Sequence, residues 1–171
     1  MILLPNADGT SDTHWEVVGV GISERWEALV DDNGSTSYVK CDDAGRSMII
    51  EYANPSVAEG DIASIDSVRF LSSGKSAHRT NPSLVDIIYE VPSITAQLCS
   101  YDAHRTNFET INGNAQATSD GSTPWTYSDL ESLEMKCTKN GSIDLWLSYL
   151  ALEVTYTEAV TDNATFFGAN F

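Results

Sequence analysis

Apolar and polar residues alternate along most of this chain with a period of two. The runs are Trp15–Val20, Thr36–Cys41, Ser47–Ala53, Ile62–Leu71, Leu84–Val91, Ile94–Tyr101, Phe108–Ala117, Ser132–Cys137 and Ile143–Tyr156. The gaps carry turn residues: Asp31-Asp-Asn-Gly34, Asp42-Asp-Ala-Gly45, Asn54-Pro55, Ser72-Ser-Gly74, Asn81-Pro82, Asn112-Gly113, Ser119-Asp-Gly121 and Lys139-Asn-Gly141. Such residues supply positive φ or bond their own backbone, so they end strands. Short strands at this spacing, without long helical runs between them, predict an antiparallel sandwich or barrel. Asn140-Gly141 predicts a hairpin between Leu133–Cys137 and Ile143–Tyr149. Two stretches depart from the period. Ser23–Leu29 predicts a helical turn with Trp26 and Leu29 inward, and Ser128-Asp-Leu-Glu131 reads as a capping box.

At 171 residues the chain suits one domain. It divides into an N-terminal arm over 1–14, a β-sandwich over 15–158 and a C-terminal aromatic tail over 159–171. Charge is the outlier: 9 Lys+Arg against 25 Asp+Glu give −16. A nucleic-acid binder needs a basic footprint on phosphates, so nucleic acid is excluded as a partner, and anionic membrane surfaces are disfavoured. No stretch approaches the ~18 apolar residues of a membrane span. Cys41, Cys99 and Cys137 are widely spaced and form no CxxC, which predicts reduced, buried thiols. Met1-Ile-Leu-Leu-Pro5 has no basic flank and is too short for a signal peptide, so folding in the cytoplasm is expected.

Catalytic constellations are missing from the sequence. His14, His78 and His104 stand apart from any acidic, Cys or His partner at metal-ligand spacing. There is no Gly-x-Ser-x-Gly elbow and no Ser-x-x-Lys. Gly19-Val-Gly21 matches only part of a dinucleotide fingerprint. Asp31–Ser35 and Asn6–Thr10 place oxygens at alternate positions, as calcium loops do, but lack the closing glutamate. Asp31-Asp32 and Asp42-Asp43 fall in turns, where aspartate serves the backbone, although two carboxylates meeting across strands would remain invisible in sequence. No cofactor, metal or catalytic residue is therefore expected. Trp15, Trp26, Trp125 and Trp146, with seven Tyr, could build a sugar-stacking platform, although in a sandwich such rings are more often core plugs. Trp146 lies between Leu145 and Leu147 and points to the opposite face, which makes it the tryptophan that meets something outside its own core.

Three segments occur in order. Trp15 is followed by Trp26-Glu-Ala-Leu-Val-Asp31-Asp32 and Thr36-Ser-Tyr38-Val39; next comes Ile65-Asp-Ser-Val68-Arg69-Phe70. Last is Thr123-Pro-Trp125-Thr126-Tyr-Ser-Asp129-Leu130-Glu-Ser-Leu133-Glu134, with a closing strand Leu147–Tyr156. Together they resemble small structural proteins of tailed bacteriophages, common in marine and cyanobacterial phages. The resemblance implies an all-β fold, an antiparallel β-sandwich of jelly-roll type with about eight to nine strands and one or two short helical turns. It also implies a place in the virion, on the capsid exterior, as a cement or decoration protein bound to the major capsid protein lattice. It carries over no catalytic residue. A homo-oligomer, dimer or trimer, assembled in the host cytoplasm is expected. The alternative is a tail or fibre appendage whose Trp and Tyr bind host-surface glycans. Strong negative charge would keep free copies apart and complement a basic capsid rim. The interface residues expected are Ile2, Leu3 and Leu4 in the arm, Trp146 on the sandwich, and Phe166, Phe167 and Phe171 in the tail.

Overall fold

The alternation becomes two antiparallel sheets in the computed structural model, which describes residues 1–9, 14–31, 36–77, 83–91, 94–103 and 106–160, with 83–91, 94–103 and 111 as backbone alone. The strands are β1 (Ile2–Leu3), β2 (Pro5–Asp8), β3 (Trp15–Val18), β4 (Tyr38–Cys41), β5 (Arg46–Tyr52), β6 (Ile62–Ser76), β7 (Ser83–Val91), β8 (Ile94–Ala103), β9 (Glu109–Asn112), β10 (Glu134–Lys139) and β11 (Leu145–Glu158). One sheet runs β3–β4–β11–β6–β9, with β1 also on β11; the other runs β2–β5–β10–β7–β8. From β4 onward the chain changes sheet at every connection except β7 to β8. The result is a β-sandwich of jelly-roll type, with all nine predicted strands in place.

The inward rows of both sheets build one core. Met48, Ile50 and Tyr52 of β5 and Met135 and Cys137 of β10 face Val68 and Phe70 of β6 and Leu145, Leu147, Leu150, Leu152 and Val154 of β11. Trp15, Trp125, Leu29 and Leu130 close its edges. Complete burial of each large apolar side chain contributes about 1.5–3 kcal/mol. Strand β6 keeps Ile65 and Val68 both inward, three positions apart, because Asp66 is an extra residue. Thr155 faces Ser67 and Tyr156 faces Ile65 across it.

Four expectations change. The N-terminal arm is part of the sandwich over residues 2–8: Ile2 and Leu3 pair with Glu153 and Leu152, and Pro5–Asp8 pairs with β5 in the other sheet. The strands therefore number eleven rather than eight or nine among the described residues. The predicted hairpin at Asn140-Gly141 does not form, since β10 and β11 lie in different sheets and 140–144 crosses between them. Lys139 explains this. Its side chain is inward and completely buried, and its Nζ donates to the backbone carbonyls of Asp42 at 3.0 Å and Gly141 at 2.7 Å. A buried ammonium needs such acceptors, and meeting them folds the turn over the end of the core. The capping box begins two residues earlier than expected. Thr126 Oγ1 accepts from the Asp129 N–H, and the Asp129 carboxylate accepts from the Thr126 N–H, opening the helix α1 (Tyr127–Glu131). A 3₁₀ turn, Trp26–Ala28, occupies the other helical stretch with Leu29 buried and Trp26 partly so; a second lies at Glu59–Asp61.

Candidate functional site

Strand β11 presents Leu145 and Leu147 to the core and Trp146 to the outer face of the six-stranded sheet. Register fixes its neighbours. Trp146 stands opposite Lys40 of β4 on one side and Lys75 of β6 on the other. Glu16 of β3 continues the row beyond Lys40. On the far side Gly74 pairs with Glu109, which brings Phe108, the residue before β9, beside Lys75. Tyr38 lies two residues from Lys40 on the same face of β4.

These side chains converge. The Lys75 Nζ lies 4.6 Å from the Phe108 ring centroid, 5.3 Å from that of Trp146 and 5.8 Å from that of Tyr38. Tyr38 and Phe108 are tilted at 46° with centroids 5.9 Å apart. All four side chains are half-exposed. Ammonium over aromatic faces is favourable by about 0.5–1 kcal/mol at exposed sites, so the lysine and the rings hold one another in place. Lys40 is tied differently, to Asp42 at 3.3 Å and Asp144 at 3.6 Å. Burial works against its charge, but the hydrogen bonds and charges of Asp42 and Asp144 prevail and hold its pKa above the usual lysine value. Asp42 is correspondingly lowered, chiefly by its hydrogen bond from Lys40. The arrangement offers three ring faces, one ammonium and a charged rim: groups that stack on flat, CH-rich surfaces and bond hydroxyls.

Other places were candidates for chemistry. Glu51, Glu131 and Glu134 border a depression of about 350 Å³, with Asn6, Asn54 and Ser132. Glu51 and Glu131 are exposed and Glu134 is half-exposed, so no apolar pocket surrounds them to keep a general acid protonated. His14 Nε2 lies 3.3 Å from Asp43 at the surface; His78 and His104 lie outside the described residues. Among the described residues no three His, Cys, Asp or Glu gather as metal ligands. No helix there is long and apolar enough to cross a membrane.

Of the expected interface residues, Trp146 belongs to the aromatic cluster, joined to it by the Lys75 ammonium. Leu3 is in the core at 2% exposure, because strand alternation turns it inward, while Ile2 and Leu4 remain at the surface at 45% and 38%. Phe166, Phe167 and Phe171 lie outside the described residues. Sequence reading missed Tyr38, Lys75 and Phe108. Tyr38 and Phe108 belong to alternating runs, whereas Lys75 follows Ser72-Ser-Gly74, which reads as a turn in sequence but continues strand β6 to Ser76; only the pairing of β4, β11, β6 and β9 shows that the three meet.

No protein-family model and no curated protein matches the sequence. Solved structures do. The CBM36-1 domain of a xylanase from the hindgut metagenome of Trinervitermes trinervoides aligns with a TM-score of 0.52 and 11% identity, over 90% of this chain and 95% of that one. The CBM22-1–GH10 modules of xylanase 10B of Clostridium thermocellum, complexed with xylohexaose, align at 0.51 and 10% identity over 95% of this chain but 30% of the larger one. The carbohydrate-binding module CBM6cm-2 of Cellvibrio mixtus lichenase 5A, in complex with cellotriose, aligns at 0.50 and 11% identity, covering 91% and 97%. The fold is shared. At this identity the likeness speaks for the β-sandwich and its jelly-roll layout, and for nothing in the residues of the outer face.

Proposed function

We propose that this chain is a non-catalytic β-sandwich module that binds a glycan on the outer face of its six-stranded sheet. The observation that carries the reading is the convergence of Tyr38, Phe108 and Trp146 around Lys75, half-exposed on a rigid sheet. Aromatic rings in such a position stack on the CH faces of pyranoses, and polar groups at the rim fix hydroxyls. Rings held by sheet register lose little freedom on binding. Carbohydrate-binding modules with the same fold support the reading, two of them in structures holding xylohexaose or cellotriose.

The phage resemblance gives such a module a place in a tail or fibre appendage, where it would meet host-surface glycans. The capsid-cement expectation drew on apolar arms at both ends of the chain. Residues 2–8 are taken up by the sheets, so that support is weaker than the platform's.

The test is electrophoresis of the purified chain through gels containing xylans, β-glucans and bacterial surface polysaccharides. Retardation by at least one of them, lost in Trp146→Ala, is the expected result. Unretarded migration throughout, with saturable co-sedimentation on empty phage shells, would overturn the glycan reading in favour of cement.

A further inference from the structure

We infer that the platform selects a sugar bearing a carboxylate, held by Lys75 while its ring lies on Trp146 or Phe108. The inference rests on the glycan-binding reading and names the ligand class. Among the described residues, four cations are already answered by oxygen. Arg25 pairs with Asp8, Lys40 with Asp42 and Asp144, Arg69 with Glu153, and Lys139 with two backbone carbonyls. Lys75 differs. Its ammonium faces three rings and has no carboxylate or hydrogen-bond acceptor among the described residues. Ring faces attract the charge but leave its three N–H donors to water. A ligand carboxylate arriving there gains charge-assisted hydrogen bonds to a donor already held in position.

The acidity of the chain sharpens the class. A net charge of −16 repels a polyanion at long range, so a uronate repeated along the whole chain is a poor fit. One acidic sugar on an otherwise neutral oligosaccharide meets the local cation and little of the repulsion, because screening confines surface charges to about 8 Å at physiological salt. A hexuronate and a sialic acid share this chemistry.

Calorimetry with the full chain separates them. The probes are a xylo-oligosaccharide carrying one glucuronate against its carboxyl-reduced form, and sialyllactose against lactose. The acidic member of one pair should bind about tenfold tighter, and Lys75→Met, which keeps the aliphatic stem, should bring that ratio to about one. The pair that responds identifies the source of the carboxylate. Equal affinity within each pair, or an acid preference that survives Lys75→Met, overturns the inference and leaves glycan binding standing. So does binding of none of the four by a chain that is still retarded in a polysaccharide gel. If no glycan is bound in either experiment, both readings fall.

Discussion

Asp8 and Arg25 join the second strand of the chain to the 3₁₀ turn at Trp26–Ala28. The Asp8 carboxylate accepts from the Arg25 N–H at 3.0 Å, the Arg25 Nη1 at 3.2 Å and the Trp26 N–H at 2.8 Å, while Arg25 Nε donates to the Trp15 carbonyl at 2.9 Å. Side-chain exposure is only 12% for Asp8 and 20% for Arg25, so removing one partner leaves a poorly hydrated charge. Asp8→Ala should cost about 2–4 kcal/mol in urea unfolding. A loss below about 0.5 kcal/mol, the ordinary range for a surface change, would mean the tie contributes nothing.

Lys139 sets up a comparison between two truncations. Lys139→Met keeps most of the buried stem and leaves the carbonyls of Asp42 and Gly141 without their donor. Lys139→Ala adds a cavity to the same loss, so it should be the more destabilising, by about 2–5 kcal/mol relative to the parent chain. Equal losses would place the ammonium, rather than the stem, at the centre of the effect.

How far the sequence was legible depends on range. The β11 alternation was readable because Leu145, Trp146 and Leu147 are adjacent and the period alone assigns their faces. The crossing at 140–144 was not, since Asn-Gly suits a hairpin locally and only the burial of Lys139 beneath it sends the chain to the other sheet. Ile2–Leu3 was too short to register as a strand, and its partners Glu153 and Leu152 lie some 150 positions away. The platform failed to show for the same reason: Tyr38, Phe108 and Trp146 come from three separate runs, Lys75 follows a Ser-Ser-Gly stretch that looks like a turn but continues β6, and register has no local signature.

Acid should loosen the loop before α1. Asp120 accepts from the Thr123 and Ser122 backbone N–H groups and from both hydroxyls, and these bonds, that of Thr123 foremost, hold its pKa well below the usual 3.8. A lowered folded-state pKa means stability that is present in full above 3.8 and lost as pH falls through the depressed value. Asp120→Asn should therefore be less stable than the parent at pH 6, with the gap closing as pH drops below about 3.8. A gap independent of pH would assign the effect to turn geometry and not to charge.

Cys41 should be inert in the folded chain. Burial, first among the causes, pushes its thiol up to about 11, against a smaller opposing hydrogen bond from the Asp43 backbone. Thiolate is the reactive form, so iodoacetamide at pH 8 should label Cys41 and the equally buried Cys137 only as fast as the protein unfolds. Peptide mapping after a short pulse checks this, and prompt labelling of Cys41 would contradict its placement in the core.

Trp146 and Leu147 are neighbours in sequence on opposite faces of one strand, which lets binding and folding be separated by a single step along the chain. Leu147 is completely buried between the sheets, and Leu147→Ala should cost about 2–5 kcal/mol in unfolding free energy. Trp146 faces outward and half-exposed, so Trp146→Ala should leave the unfolding midpoint nearly unchanged while reducing glycan affinity at least about tenfold, as loss of an aromatic anchor does. Tyr38→Ala and Phe108→Ala remove one smaller ring each from the same cluster and should weaken binding less than loss of the larger indole. The pattern to look for is affinity tracking the outer face and stability tracking the inner one. If Trp146→Ala unfolds the chain as readily as Leu147→Ala does, the cluster is packing that completes the fold, and the glycan surface must be sought elsewhere.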